Sequence, residues 1–297
     1  MSGEPVKKIG SMRAVFTGCA RDVGEHLPRV LANISRLAAI FGEAAFVFVE
    51  NDSKDNTKQL LGTFKLGRRV ECICLDGLAR ELPLRTERLA RCRNEYIGRI
   101  KSSDLAEFDV MLTLDLDEMS VHEIDIRSFE NAIEFLFRED ARAAVFANQI
   151  GTYYDMWALR HAKKCPGDIW EDVLDFAAAH DVSDAEAFER KFARRIFSLS
   201  PQEKPLKVES AFGGLGVYKM AFVVKNENEF VGSKVKKIRI NKKPRTIGWQ
   251  TCEHVPFHLG LGRLGGKLYI DPALINGDTR GISFPPSTFR AYIFPLE

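Results

Sequence analysis

Nothing in this 297-residue sequence is concentrated enough to name a specialised class. Its longest apolar run, Ala44 to Val49, is about six residues, far below the roughly 20 that a bilayer-spanning helix requires. Charge of neither sign is in surplus: 43 Lys+Arg against 41 Asp+Glu leave +2, too near balance to argue for a nucleic-acid or bulk membrane partner. Six cysteines, at positions 19, 72, 74, 92, 165 and 252, show no CxxC pair and no zinc-knuckle spacing. Residues 1–8 are not followed by the apolar core of a secretory leader. No internal repeat or low-complexity linker breaks the chain. What remains, 45% hydrophobic and 28% charged residues, suffices for one large core or two ordinary ones. A reduced, soluble, cytoplasmic globular protein is expected, with Cys72 and Cys74 as buried thiols on one face of a strand.

The first half alternates strand and helix. Residues 13–19 (RAVFTGC) read as a strand, and Leu27, Val30, Leu31, Ile34, Leu37, Ala38 and Phe41 recur at helical spacing. The run 44–49 reads as a buried strand and 57–64 as a helix behind a polar, capping cluster. Strands are predicted over 70–75 and 108–114, with a helix over 86–100 between them. Such alternation implies an α/β fold built on a mainly parallel sheet covered on both faces. Ligands then bind beyond the carboxyl ends of the strands, where Gly18–Asp22, Glu50–Asp55 and Asp115–Glu118 fall. The second half is less regular: helix 128–138, strand 143–150, helices 171–180 and 184–197, a glycine-rich strand 207–219, helix 252–264 and strand 267–275.

Three segments carry the chemistry. Asp115, Asp117 and Glu118 end an apolar strand, and grouped carboxylates repel one another unless a cation sits among them. Their hard oxygens suit Mg²⁺ or Mn²⁺ bridging to a diphosphate, although loop or helix-capping carboxylates give the same tripeptide. The stretch 48–57 (FVENDSKDNT) can hold a nucleoside through its acids, or can simply form an N-cap with an Asx-turn. Lys234, Lys236, Lys237, Arg239, Lys242, Lys243 and Arg245 place seven cations in a twelve-residue stretch. We read this stretch as a mobile, solvated loop, with closure over a diphosphate or contact with an anionic, lipid-linked acceptor as the functional alternatives. Interleaved aromatics, which nonspecific nucleic-acid binding calls for, are absent from it.

Taken in order, FVENDSKDNT and LDLDE resemble the nucleotide-sugar glycosyltransferases of the GT-A fold. ERLARCRNEY (87–96), with its A-x-x-R-N core at Ala90, Arg93 and Asn94, resembles the arginine-containing helix ahead of their DxD. YYDMWALR (153–160) and FGGLGVY (212–218) are similar to segments of the capsule-associated α-1,3-mannosyltransferase family and its bacterial relatives. CEHVPFHLGLGRLGGKLYIDPALIN (252–276) resembles the helix–strand unit that closes many GT-A domains. The resemblance implies a GT-A domain over 12–276, with a nucleotide-binding half (12–118) and an acceptor-binding half (119–276), between a flexible N-terminus (1–11) and a tail (277–297).

By the same resemblance, Glu50, Asp52, Asp55, Arg93 and Asp115 surround the nucleotide, and Asp115 and Asp117 hold Mn²⁺ or Mg²⁺. Gly213 and Gly214 let the backbone approach sugar or acceptor; the residues themselves, apart from the resemblance, suggest an acceptor wall of Tyr153, Tyr154 and Trp157 beside Asp155 and Arg160. The family's catalytic E-D pair appears here as Glu253-His254. His254 could act as base, Glu253 could face sugar or acceptor, and no base is needed if configuration is retained, which the resemblance favours. The family's late metal-binding His is not evident, and His258 could substitute for it. The implied donor is a nucleoside-diphosphate sugar, GDP-mannose first, and the implied acceptor a glycan or a lipid-linked glycan, with peripheral contact at the inner membrane face. A sugar-phosphate nucleotidyltransferase lacks support, because residues 18–22 (GCARD) are not its glycine-rich basic loop. A phosphatase would carry its DxD on the first strand. A non-catalytic nucleotide- or carbohydrate-binding protein remains the non-enzymatic alternative.

Overall fold

The computed structural model describes residues 7–64, 69–240 and 243–295. Residues 1–6 of the expected flexible N-terminus, 296–297 of the expected tail and Lys242 of the basic stretch lie outside these.

The N-terminal half builds in sequence order. β1 (Arg13–Ala20) leads to α1 (Leu27–Ala38), β2 (Glu43–Glu50), α2 (Thr57–Thr63) and β3 (Arg69–Cys74). After the single turn α3 (Leu78–Glu81) come α4 (Arg85–Lys101) and β4 (Val110–Asp115). β1 pairs in parallel with β2 on one side and β4 on the other, and β3 adds to β2 as the sheet edge. Because side chains alternate along a strand, each strand feeds two cores. Phe16, Phe46, Phe48 and Leu112 point one way, toward α1 and its apolar stripe. Val15, Val47, Val49 and Met111 point the other, toward α4. The rings of Phe16 and Phe46 stack at 5.4 Å, and both are fully buried, each burial contributing about 1.5–3 kcal/mol.

The second half extends the same sheet. α5 (Ile126–Phe137) is capped by Asp125, whose side chain accepts from the Ser128 N–H, and runs to β5 (Arg142–Ile150). α6 (Ile169–His180) and α7 (Asp184–Lys191) follow, then β6 (Leu206–Val208), β7 (Leu215–Lys219) and α8 (Met220–Lys225). β8 (Ser233–Ile240), β9 (Lys243–Gln250), α9 (His254–Arg263), β10 (Lys267–Asp278) and β11 (Ile293–Phe294) complete the order. The large sheet runs β3-β2-β1-β4-β7-β5-β10-β6, with β7 antiparallel to both its neighbours and β6 antiparallel on the edge. This is the expected mainly parallel, helix-flanked sheet.

Five expectations need correction. The glycine-rich segment 207–219 is two strands rather than one, broken where Gly213 and Gly214 take φ of +67° and +84°. The helix expected over 184–197 stops at Lys191 and gives way to a 3-10 turn, Ala193–Arg195. The basic stretch is the antiparallel hairpin of β8 and β9, which forms a second, three-stranded sheet with β11. It is pinned by Lys236, whose Nζ lies 3.0 Å from both Glu171 and Asp175 on α6. The expected C-terminal tail supplies β11 and the fully buried Phe289. Cys72 is only half-buried and Cys74 is exposed, because β3 has a neighbour on one side alone. Among the described residues no helix is long and apolar enough to cross a membrane.

Candidate active site

A cleft of about 430 Å³ opens at the carboxyl ends of β1 and β4 and is closed from the far side by the loop after β5 and the start of α9. Four carboxylates line it, those of Asp115, Asp117, Asp155 and Glu253, together with four arginines, Arg21, Arg85, Arg88 and Arg93.

Asp115 is the last residue of β4, and its N–H donates to the Gly214 carbonyl at 3.0 Å. That contact needs the left-handed turn. A Cβ at Gly214 would meet Asn276 Nδ2 at 2.9 Å, and one at Gly213 would meet the Ala147 carbonyl oxygen at 2.7 Å. The two glycines therefore let backbone approach the carboxylate strand, where close approach to sugar or acceptor was expected of them. Asp117 caps the 3-10 turn Glu118–Ser120 by accepting from the Met119 N–H at 3.0 Å. Burial first, and then the charge of Asp117, raise the Asp115 pKa to about 7. Asp155 accepts from the N–H groups of Gly213 and Ala158, at 3.1 and 3.2 Å. These bonds only partly offset its burial, which raises its pKa.

Arg93 faces inward because α4 carries it on the stripe of Ala90, Tyr96, Ile97 and Ile100. Its Nε donates to Glu253 Oε1 at 2.9 Å, and Nη2 lies 3.5 Å from Asp115 Oδ1. Nη1 donates to the Tyr96 hydroxyl at 3.3 Å, and the guanidinium packs over Phe212. Burial works against the charge, but Tyr96 and Glu253 outweigh it and push the Arg93 pKa further up. This arginine thus ties the end of β4 to the start of α9, a role that its expected approach to phosphates did not include.

His254, the first residue of α9, stacks on Phe212 at 3.9 Å. It is 3% exposed, and neither ring nitrogen has a hydrogen-bond partner among the described residues. The nearby Glu253 Oε1, at 3.7 Å from Nε2, is beyond hydrogen-bond reach. Burial, followed by the Arg93 charge, depresses its pKa strongly, so the ring is neutral. His258 is a different case. Its Nδ1 pairs with the Ser210 hydroxyl and its Nε2 with the Tyr218 hydroxyl, both at 2.9 Å. With both ring nitrogens engaged and the side chain fully buried, no lone pair is left for a metal. The expectation that His258 is a metal ligand is therefore corrected.

The acids of the stretch 48–57 do not line the cleft. Fully buried Glu50 accepts from the Ser53 N–H at 2.7 Å, and its other oxygen is 3.5 Å from Lys58 Nζ. Asp52 accepts from the N–H groups of Gly77 and Ala79, each at 2.6 Å, which outweigh desolvation and lower its pKa. Asp55 accepts from Gly24 and Thr57 N–H. These carboxylates stitch the loops after β1, β2 and β3 together, and only Asn51 of the segment reaches the cleft. Arg160 is likewise structural: it pairs with Asp168 at 3.3 Å and donates to two backbone carbonyls. Trp157 does line the cleft, fixed by its Nε1–H to Asp168 at 3.1 Å and stacked on Tyr292 at 4.3 Å.

The sequence reading missed Arg21, Arg85 and Arg88, taking the arginines of α4 other than Arg93 as its outer face. A signal was present: Arg85 and Arg88 occupy the first turn of a 17-residue helix, where the macrodipole favours acids.

Among the described residues no group of three or more His, Cys, Asp or Glu is arranged to hold a metal by itself. Asp115 and Asp117 nevertheless fit the mode in which one or two carboxylates hold Mg²⁺ or Mn²⁺ and substrate phosphates supply other ligands. Burial, and then the charge of Asp117, raise the Asp115 pKa, a strain that a cation held between the two carboxylates would relieve.

No protein-family model and no curated protein sequence matches the chain. Among solved structures it is similar to S. aureus TarS, residues 1–349, at 12% identity over 87% of this chain and 58% of that one, with a TM-score of 0.46. Mannosyltransferase PcManGT from Pyrobaculum calidifontis, in complex with GDP-Man and Mn²⁺, gives 12% identity over 89% and 56%, with a TM-score of 0.46. Glucosyl-3-phosphoglycerate synthase from Mycobacterium tuberculosis, in complex with Mn²⁺, UDP and phosphoglyceric acid, gives 13% over 94% and 74%, at 0.44. The chain thus spans less than three-fifths of the length of the first two. At these scores the likenesses carry no weight in assigning a function, which has to come from the site.

Proposed function

We propose that this protein is a metal-dependent glycosyltransferase of the GT-A type. In this reading it moves a hexose from a nucleoside-diphosphate sugar to a hydroxyl of a glycan or lipid-linked acceptor. One observation carries the reading: Asp115, the last residue of β4, and Asp117 just beyond it face a cleft shared with Asp155 and Glu253, where burial and then the Asp117 charge raise the Asp115 pKa to about 7. Such a pair is suited to a divalent cation, and the crevice beyond parallel strands is where an α/β sheet binds a nucleotide. The order of the sequence motifs supports the same class. Mannose as the sugar, GDP as the nucleotide and retention of configuration rest on that resemblance.

A bound Mn²⁺ or Mg²⁺ would supply the Lewis acidity that neutralises the departing diphosphate. The chain's own residues do the rest. In transfer, the bond from the anomeric carbon to the diphosphate oxygen breaks with its electron pair on oxygen, and the acceptor oxygen forms the new bond. With retention the departing diphosphate takes the acceptor's proton. His254, neutral and with neither ring nitrogen paired, donates its ring N–H to a lone pair of the acceptor oxygen and orients it, leaving the hydroxyl proton for the diphosphate. Glu253, held by Arg93, places negative charge near the ring that becomes cationic, an electrostatic contribution of the preorganised kind. Trp157 and Asp155 form the wall against which the acceptor rests.

The test is Asp117→Asn, with nucleoside-diphosphate release from a panel of sugar nucleotides measured with Mn²⁺ and with EDTA. Loss of transfer by a factor of about 10² or more, with an unchanged fold by circular dichroism, is expected. Full transfer by the variant under chelation would end the metal-dependent reading. Binding of nucleotides without release of diphosphate from any sugar nucleotide would make the protein a binder and no enzyme.

A further inference from the structure

The carboxylates are only one pole of the cleft. Arg21, just after β1, and Arg85 and Arg88, at the start of α4, line the same cavity. Arg88 is oriented by backbone, its Nη1 donating to the Leu82 and Pro83 carbonyls at 2.9 and 2.6 Å, so its charge is positioned and left without a paired carboxylate. Arg85 is exposed and makes no ion pair among the described residues. Arg21 has only the adjacent Asp22, at 3.7 Å. Burial, and then the charges of Arg21 and Arg85, lower the Arg88 pKa, against a smaller opposing effect of Asp52, the sign of cations crowded together. Two arginines in the first turn of α4 also oppose its dipole. Such a local conflict, offset only in part by Glu87 in the same turn, marks a functional position.

We propose that Arg21, Arg85 and Arg88 form an oxyanion-binding subsite that engages a phosphate or carboxylate group of the substrates without a metal. Arginine forks match the planar, bidentate geometry of both groups. The anion has two possible sources, the diphosphate of the donor and an acidic substituent on the acceptor. The subsite deepens the glycosyltransferase reading by adding an acid-recognising element, but its test does not depend on transfer.

Binding of inorganic pyrophosphate, of GDP and UDP, and of glucose 6-phosphate and glucuronate is measured by calorimetry in EDTA. The proteins are wild type, Arg85→Gln, Arg88→Gln, Arg88→Lys and Asp117→Asn. Pyrophosphate should bind wild type and Asp117→Asn alike, and lose about tenfold in affinity in each Gln variant, a factor that corresponds to about 1.4 kcal/mol. Arg88→Lys should recover part of the loss. If GDP or UDP displaces pyrophosphate and is weakened by the same variants, the subsite serves the donor. If the sugar acids bind alongside nucleotide and are weakened, it serves the acceptor. Arg85 is exposed and free of ion pairs, so Arg85→Gln folds and keeps the test decisive. Absence of metal-free anion binding, or equal affinity in wild type and both Gln variants, overturns the proposal. Loss of transfer with these binding results intact would count against the enzymatic reading alone.

Discussion

His258 should make this protein about 2 kcal/mol less stable at pH 5 than at pH 7. The ring is fully buried, its nitrogens pair with Ser210 and Tyr218, and burial followed by the Arg93 charge lowers its pKa to about 3. An unfolded histidine titrates near 6.5. The native value is the lower one, so below pH 6.5 the unfolded chain binds a proton that the native chain does not. Stability is therefore intact above about pH 7 and declines as pH falls toward 3. Integrating the linkage relation from pH 7 to 5 gives RT ln(1 + 10^1.5) less a small residue, about 2 kcal/mol. The assay is urea unfolding of wild type and His258→Gln at both pH values. The variant carries a fixed penalty at each pH, but its loss between pH 7 and 5 should be smaller than wild type's by about 2 kcal/mol. Comparing the two proteins cancels the other titrating groups, His254 included. If both lose the same stability over this range, the buried neutral His258 is wrong, and with it the argument against metal ligation.

Arg93→Met strands Glu253 and Asp115 without their cation and should cost about 3–5 kcal/mol in chemical unfolding. Adding Glu253→Gln to it should recover part of the loss, and a double variant no more stable than the single would break the pairing argument. Gly213→Ala, at φ +67° with a Cβ 2.7 Å from the Ala147 oxygen, should lower stability by about 1–3 kcal/mol. Gly62→Ala on α2, where a Cβ meets nothing within 4 Å, should instead raise it by about 0.4–1 kcal/mol. A thermal-melt comparison that reversed these two signs would refute the steric account of Gly213.

Periodicity is local, and so the first half of the sheet was legible. Apolar alternation in β1, β2 and β4 and the stripe of α1 report burial that neighbouring residues already specify. The hairpin of β8 and β9 was not, because its support comes from Glu171 and Asp175, some sixty residues upstream in the chain. Without that pairing, a run of lysines reads as solvated. Cys72 and Cys74 failed for a related reason: a strand's pattern does not say whether it lies at an edge.

Within the site, the sequence by itself determined that carboxylates end β4, since an apolar strand running into Asp115 and Asp117 leaves them at a sheet end. It also determined that Glu253 and His254 open a helix. Tertiary structure alone decided which acids face the cleft. Glu50, Asp52 and Asp55 share the composition of a nucleotide loop, yet Glu50 is taken by the Ser53 N–H of its own loop and Asp52 and Asp55 by N–H groups of the loops after β3 and β1, and a hydrogen bond across some thirty residues leaves no trace in spacing. The same holds for His258, whose two hydroxyl partners lie 48 and 40 residues away, and for Arg21, which lines one cavity with Arg85 and Arg88 only because the end of β1 and the start of α4 meet there. Chemistry that depends on a residue's own type and neighbours is written in the chain; chemistry that depends on which lone pairs and charges remain uncompensated appears only once distant segments have met.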